Sequence, residues 1–256
     1  MKLNHLDQGT GPAIILMHGM FGCLSNLGNL AKDLVPHYRV ISVDLRNHGE
    51  SPHEDTMDIP LMADDIVELM DDLGLDRAHL VGHSLGGKLG MHVALTSPVR
   101  VRSLVVADIA PVDYPQSNSI VVDGLRDLHG RSIANRRDAN QILATYIADE
   151  MTRAFILKNL RRNAAGDYSL KLNVKSIVAN YSKSLVEAPH GEPFSGPTLF
   201  LKGELSAYIQ EKHRPLIKSL FPTSELKIID GAGHWLHAEK PQMFNSLVIG
   251  FLNANG

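Results

Sequence analysis

Only one of the 256 residues is cysteine, Cys23, so an internal disulfide is excluded and a reducing compartment fits. Long hydrophobic runs are also missing: none approaches the ~18 residues that a bilayer span requires. The N-terminal Met1-Lys2-Leu3-Asn4-His5-Leu6-Asp7 carries no apolar stretch of the signal-peptide kind. A cytoplasmic location and no membrane partner are the resulting expectations. Excess charge of one sign is small, with a formal net charge of −3, so nothing global favours nucleic acid or an anionic membrane surface. Zinc-type cysteine spacings, glycine-rich phosphate loops, internal repeats and low-complexity segments are absent, and no metal site is expected. What remains, 44% hydrophobic and 21% charged, is the composition of an ordinary globular protein long enough to bury a substantial core.

The most informative stretch is Leu80-Val81-Gly82-His83-Ser84-Leu85-Gly86-Gly87. An apolar run enters it as a strand, glycines stand two residues either side of a serine, and a helical pattern leaves it. This is the GxSxG pattern of a nucleophile elbow, a turn sharp enough to thrust the serine hydroxyl clear of the backbone. Such a turn strains the serine, and a Cβ at Gly82 or Gly86 is expected to collide across it.

Around the elbow the chain alternates strands with helices. Residues 13–17 are a continuous apolar run, read as a buried parallel strand, and His18-Gly19-Met20-Phe21-Gly22 follows directly. A second strand at 39–43 runs into the polar, loop-like stretch 44–51. Between Pro60 and Leu73, Met62, Ile66, Leu69, Met70 and Leu73 recur at helical spacing, with acidic residues on the other face and Gly74 as the stop. Strands are expected at 78–83 and 101–107, with Asp108 at the exit of the latter. The pattern resumes with a strand at 197–202, a helix near 209–220, a strand at 225–230 and a final helix carrying Phe244, Leu247, Val248, Phe251 and Leu252 on one face. This is an α/β fold with a mostly parallel central sheet flanked by helices.

Between 112 and 189 the rhythm breaks, and helical patterns occur without a convincing buried strand. The expected organisation is a core of residues 1–111 and 190–256, with 112–189 inserted as a helical cap. That insertion holds eleven Lys or Arg against eight Asp or Glu. A solvated surface accounts for this, and a lid that attracts anionic substrates through Arg136, Arg137, Lys158, Arg161 and Arg162 is the sharper alternative.

A serine hydroxyl needs a base to become a nucleophile at neutral pH, and imidazole suits the task because its pKa lies near the working pH. Among thirteen histidines, His234 stands out, lying after the last strand in the loop Gly231-Ala232-Gly233-His234-Trp235. His83 is adjacent to the serine and is expected to point elsewhere, whereas His18 and His48 sit in turns that suggest structural hydrogen bonds. His237 lies three residues beyond the loop tip. The oxyanion formed by Ser84 attack requires backbone donors, expected from Leu85 at the helix start and from Met20, with Phe21 as the other possibility. The side chains of Phe21 and Trp235 are candidates to line the acyl pocket.

The motifs His18-Gly19-Met20-Phe21-Gly22, Asp44-Leu45-Arg46-Asn47-His48-Gly49, Gly82-His83-Ser84-Leu85-Gly86-Gly87-Lys88, Asp108-Ile109-Ala110-Pro111-Val112-Asp113 and Gly231-Ala232-Gly233-His234-Trp235 occur in the order found in one superfamily. The chain resembles the α/β-hydrolases over its full length, and within them the small bacterial esterases of the YbfF type and their mitochondrial relatives. The resemblance implies the α/β-hydrolase fold with a helical cap inserted after the sixth strand. It also implies hydrolysis of a small-molecule ester or acyl thioester through an acyl-serine intermediate, without metal or organic cofactor. One position departs from the superfamily pattern. The acid usually ends a Gly-x-x-Asp turn after the cap, and here that turn reads Gly203-Glu204-Leu205-Ser206. Asp108, 24 residues after Ser84 at a strand end, is the preferred substitute, with Asp113, Glu204 and no acid at all left open. A carbon–carbon bond hydrolase or cofactor-free haloperoxidase could use the same three residues. A non-catalytic ligand receptor would have lost one of them, and the serine at 206 is what supports that reading.

Overall fold

The computed structural model describes residues 1–115, 120–162, 166, 168–181 and 186–256. Its centre is a seven-stranded sheet built from β1 (His5–Gln8), β2 (Ala13–Met17), β3 (Arg39–Val43), β4 (Ala78–His83), β5 (Val101–Ala107), β8 (Thr198–Gly203) and β9 (Glu225–Ile229). The spatial order is β1-β3-β2-β4-β5-β8-β9; β1 pairs antiparallel with β3 and every other pair is parallel. Every residue of β2 and β4 is buried, as parallel strands covered on both faces must be.

The side chains of these strands alternate between two cores. Ile15, Met17, Ile41, Leu80, Leu104 and Val106 face one, which includes Met62, Ile66 and Leu69 of α2 (Ile59–Asp72) and Leu89 and Val93 of α3 (Leu85–Thr96). Ile14, Leu16, Val81, Val105 and Leu199 face the other, closed by Leu30 and Leu34 of α1 (Gly28–Leu34) and by Phe244, Val248 and Leu252 of α10 (Pro241–Ala254). At about 1.5–3 kcal/mol for each fully buried aliphatic or aromatic side chain, these two layers are the main stabilising term. Helix α2 starts where the Asp58 side chain accepts the Leu61 N–H at 2.8 Å. It stops at Gly74, whose φ of +65° lets the Leu75 N–H return to the Met70 carbonyl at 2.8 Å.

Three sequence expectations need correction. Strand β1 has no apolar run to announce it, because it lies at the sheet edge with exposed polar residues. Only that one strand precedes β2, so the inserted segment follows the fifth strand, β5, and not the sixth. Nor is the insertion wholly helical. Besides α4 (Ile120–His129), α5 (Arg136–Ala144), α6 (Glu150–Ile156) and α7 (Val174–Asn180) it holds a hairpin of β6 (Leu160–Arg162) and β7 (Tyr168–Leu170). Strands of three residues, of which only Leu170 is buried, are too short for a periodicity argument to detect. After β8 the chain forms α8 (Arg214–Leu220), then β9, the short α9 (Leu236–Glu239) and α10.

The polar, loop-like stretch 44–51 is not a solvated one: Asp44, Arg46, Asn47, His48 and Ser51 are all buried. Burial is tolerated because their polar groups find internal partners. Asp44 accepts from Leu24 N–H at 2.7 Å and Asn4 Nδ2 at 2.7 Å, and Arg46 forks onto Asp65 with two bonds of 2.8 Å.

Candidate active site

Strand β4 runs into Ser84, which takes φ +51° and ψ −114°, a conformation costly for a residue with a Cβ. The strain is held from both sides: Ser84 N–H donates to the Ala107 carbonyl on β5 at 2.9 Å, and Lys88 N–H donates to the Ser84 carbonyl at 3.0 Å. A Cβ at Gly82 would lie 2.1 Å from the Gly86 carbonyl oxygen, across the elbow. At Gly86 the obstacle differs from expectation. Its Cβ would meet the Met17 carbonyl oxygen at 2.3 Å, at the end of β2.

Asp108 leaves β5 with φ +53° and is fully buried. Its Oδ2 accepts from His234 Nδ1 at 2.8 Å and from the Ser206 hydroxyl, while Oδ1 accepts from Gly203 N–H at 3.1 Å. The serine at the usual acid position is thus bound to the aspartate that reaches the histidine. The other two carboxylates are engaged elsewhere: Asp113 accepts from Ala188 N–H and Glu204 from Gly231 N–H, both at 2.7 Å.

The His234 ring is held by stacking as well. Tyr208 lies against it at 4.1 Å between centroids with an interplanar angle of 26°. His83 does not point away as expected. Its ring packs 4.8 Å from His234 and its Nε2–H donates to the His234 carbonyl at 2.8 Å, so the residue before the nucleophile anchors the loop that carries the histidine. Glu239 on α9 fastens the same loop, accepting from Gly233 N–H at 2.7 Å and Trp235 N–H at 3.0 Å. Tyr208 and Glu239 carry no assignment in the sequence, where Ser206 counts only as a missing acid and His83 only as a side chain pointing elsewhere. Only Glu239 left a local signal, a carboxylate able to reach back to nearby N–H groups.

Burial keeps the neighbouring imidazoles neutral. His83 is held well below its ordinary pKa, His237 is pushed down to about 3, His18 to about 4 and His48 to about 3, in each case first by loss of hydration. Neutrality lets His18 and His48 accept hydrogen bonds. His18 Nε2 accepts from Leu45 N–H and His48 Nε2 from Phe21 N–H, both at 3.1 Å, while their Nδ1–H groups donate to backbone carbonyls.

The His48 bond bears on the oxyanion donors. Phe21, at φ +62°, has its N–H committed to His48, so that group is not free to meet an oxyanion. Ser84, Met20, Phe21, Leu85, His234 and Trp235 all line one cavity of about 290 Å³. Trp235 packs 4.0 Å from Phe155 and Phe21 is nearly buried, so both form wall. Val121, Thr152, Phe155, Ile156 and Tyr181 bring the inserted segment to the same cavity. None of Arg136, Arg137, Lys158, Arg161 or Arg162 lines it. Arg161 instead faces Glu50, and Arg136 donates to the Leu157 carbonyl.

A parallel sheet with a strained serine at one strand end and an aspartate-bound histidine after the last strand defines a hydrolase architecture. Residues 12–241 match the family described as alpha/beta hydrolase fold, and the chain belongs to it. Within that family the chain is 35% identical to Esterase YbfF of Escherichia coli (strain K12), with 99% of this chain and 100% of that protein covered. It is 36% identical to the sn-1-specific diacylglycerol lipase ABHD11 of Mus musculus, covering 98% of this chain and 85% of the mouse protein. A solved structure named Marine microorganism esterase, 37% identical, superposes with a TM-score of 0.93 over 98% of this chain and 99% of its own.

Proposed function

We propose that this protein hydrolyses carboxylic esters or acyl thioesters of small molecules through an acyl-serine intermediate. The observation that carries the reading is the Asp108–His234 hydrogen bond beside a strained Ser84 in one cavity. Ser84 Oγ attacks the carbonyl carbon while its proton passes to His234 Nε2. Asp108 accepts from His234 Nδ1–H, fixing the tautomer and balancing the imidazolium charge. The oxyanion receives the N–H groups of Met20 and Leu85, a single such donor being worth about 3–4 kcal/mol. Collapse breaks the bond to the alkoxide or thiolate, which leaves with the proton from His234. Water then attacks the acyl-serine, His234 taking its proton and returning it to Ser84 as the carboxylic acid departs. Every proton transfer uses the chain's own side chains.

Residues 112–189 act as the cap in this reading, roofing a core of 1–111 and 190–256. The esterase and lipase names of the relatives support the ester side of the proposal. The receptor alternative rests on Ser206, and the bond from Ser206 to Asp108 supports the hydrolase reading over it. Turnover of p-nitrophenyl acetate and butyrate, with matched coenzyme A thioesters, tests the reading directly. Ser84→Ala is expected to lose turnover, and retention of wild-type turnover in that variant would refute it.

A further inference from the structure

Lys88 is the feature that the proposed chemistry leaves unused. It lies one turn after Ser84 on α3, faces the cavity wall, and is 2% exposed. Taking an ammonium out of water is expensive unless acceptors replace its hydration. Here three carbonyls do so: Lys88 Nζ donates to Val112 at 3.2 Å, to Val186 at 2.7 Å and to Glu187. These use all three donors of the ammonium, so none is left for a substrate carboxylate.

The three acceptors belong to the two ends of the inserted segment. Val112 lies where the chain departs from the sheet, and Val186 and Glu187 where it returns. The ends are also joined to each other, Tyr114 N–H donating to the Val186 carbonyl at 2.9 Å and Ala188 N–H to Asp113 Oδ1 at 2.7 Å. Burial pushes the Lys88 ammonium down to about 8, and one carboxylate at each end, Asp113 and Glu187, opposes that by favouring the charged form. Lys88 Nζ sits 5.0 Å from the centroid of the Tyr114 ring. The Tyr114 hydroxyl in turn accepts from Ala110 N–H at 2.9 Å and donates to the Tyr208 carbonyl at 2.7 Å. Tyr208 is the residue stacked on His234.

We propose that Lys88 is a positioning residue for acyl transfer: its ammonium latches both ends of the inserted segment to the helix bearing Ser84, and through Tyr114 and Tyr208 sets the His234 ring. The inference rests on the serine-hydrolase reading for its kinetic consequence, although the latch itself can be read without turnover. Without the cation the three carbonyls lose their shared partner. The walls supplied by Val121, Thr152, Phe155 and Tyr181 then shift relative to Ser84, and misplacement by about 1 Å can cost a hundredfold in rate.

Lys88→Met keeps the length and apolar stem of the side chain and removes the charge. Expected is a fall in kcat/KM of about tenfold for p-nitrophenyl acetate and about a hundredfold for the butyrate, whose longer acyl group reaches further along the displaced wall. The acetate loss is expected in kcat and the butyrate loss in both kcat and KM. Hydrogen exchange at the Tyr114 and Ala188 amides should accelerate, with the α3 amides still protected. Wild-type exchange at those two amides in a folded Lys88→Met protein would overturn the latch, whatever the activity. Equal losses for both esters would overturn its role in setting the wall. Tyr114→Phe provides a second measure if Lys88→Met does not fold: kcat is expected to fall with exchange at the amides of positions 114 and 188 unchanged, and wild-type kcat would overturn the route to His234. Loss of the hydrolase reading itself is registered separately, by Ser84→Ala.

Discussion

Ser206 and His234 donate to the same oxygen, Oδ2 of Asp108, although 98 residues separate Ser206 from Asp108 in the chain. The serine occupies the turn in which a superfamily acid usually stands, and Asp108 lies at the end of β5. Removing the hydroxyl in Ser206→Ala should cost about 1.5–3 kcal/mol of stability, the range for a hydrogen bond to a charged group. Ser206→Asp is expected to act differently: it sets a second carboxylate against the buried Asp108 carboxylate where a hydrogen-bond donor stood, so like-charge repulsion should destabilise the protein more than Ser206→Ala does, and urea midpoints of the two variants beside wild type check that order.

Asp108→Asn should lower kcat by about 10⁴-fold, because an amide cannot both hold the productive tautomer and balance the imidazolium. Glu204→Gln loses only the charge on a bond to Gly231 N–H at the protein surface, and kcat is expected to stay within about threefold of wild type. Comparing the two variants by steady-state kinetics separates the candidate acids without recourse to structure.

The elbow and the late histidine were legible because each is local: strand, glycine, serine and helix follow one another within a dozen residues, and Gly231 to Trp235 mark one loop. Asp108 was accessible only through its place at a strand end. Ser206 was read as a loss, since nothing in one dimension reveals that β5 and β8 are neighbours and bring the two residues together. The stretch 44–51 misled for a different reason. Composition reports polarity, whereas burial depends on whether partners such as Asn4, Leu24 and Asp65 are supplied from elsewhere. The edge strand β1 and the β6–β7 hairpin escaped because a strand with little buried surface has little reason to carry an apolar pattern.

The neutral pair His18 and His48 makes stability depend on pH in a defined window. Both are fully buried, and both accept a backbone N–H that only the neutral ring can take. Their folded pKa values of about 4 and about 3 lie below the unfolded value of 6.5. Between these limits the unfolded chain binds protons that the folded chain does not, so stability rises with pH there. The contribution is complete above pH 6.5 and is lost as pH falls toward 4 and then 3. Each histidine contributes a slope of up to about 1.4 kcal/mol per pH unit. In His48→Gln the side-chain carbonyl can still accept from Phe21 N–H but does not titrate. Urea midpoints measured from pH 7 to pH 4 should therefore fall less steeply in His48→Gln than in wild type.

Two glycine substitutions with the same chemistry should have opposite signs. At Gly82 the added methyl would stand 2.1 Å from the Gly86 carbonyl oxygen and 2.5 Å from Gly87 N, all backbone inside the elbow. No side chain can move aside, so either β4 or α3 must shift and Ser84 shifts with it. Gly82→Ala is expected to destabilise by more than about 4 kcal/mol, the range reserved for severe steric conflict in a core, and to abolish turnover. At Gly28 nothing lies within 4 Å of the added Cβ, and the residue already has φ −62° in helical geometry at the start of α1. Gly28→Ala restricts the unfolded chain without straining the folded one, which should add about 0.4–1 kcal/mol. Thermal unfolding of the two variants beside wild type checks the pair. A Gly82→Ala protein as stable as wild type would mean that the elbow is wider than its backbone contacts imply, and would weaken the argument that Ser84 is held under strain.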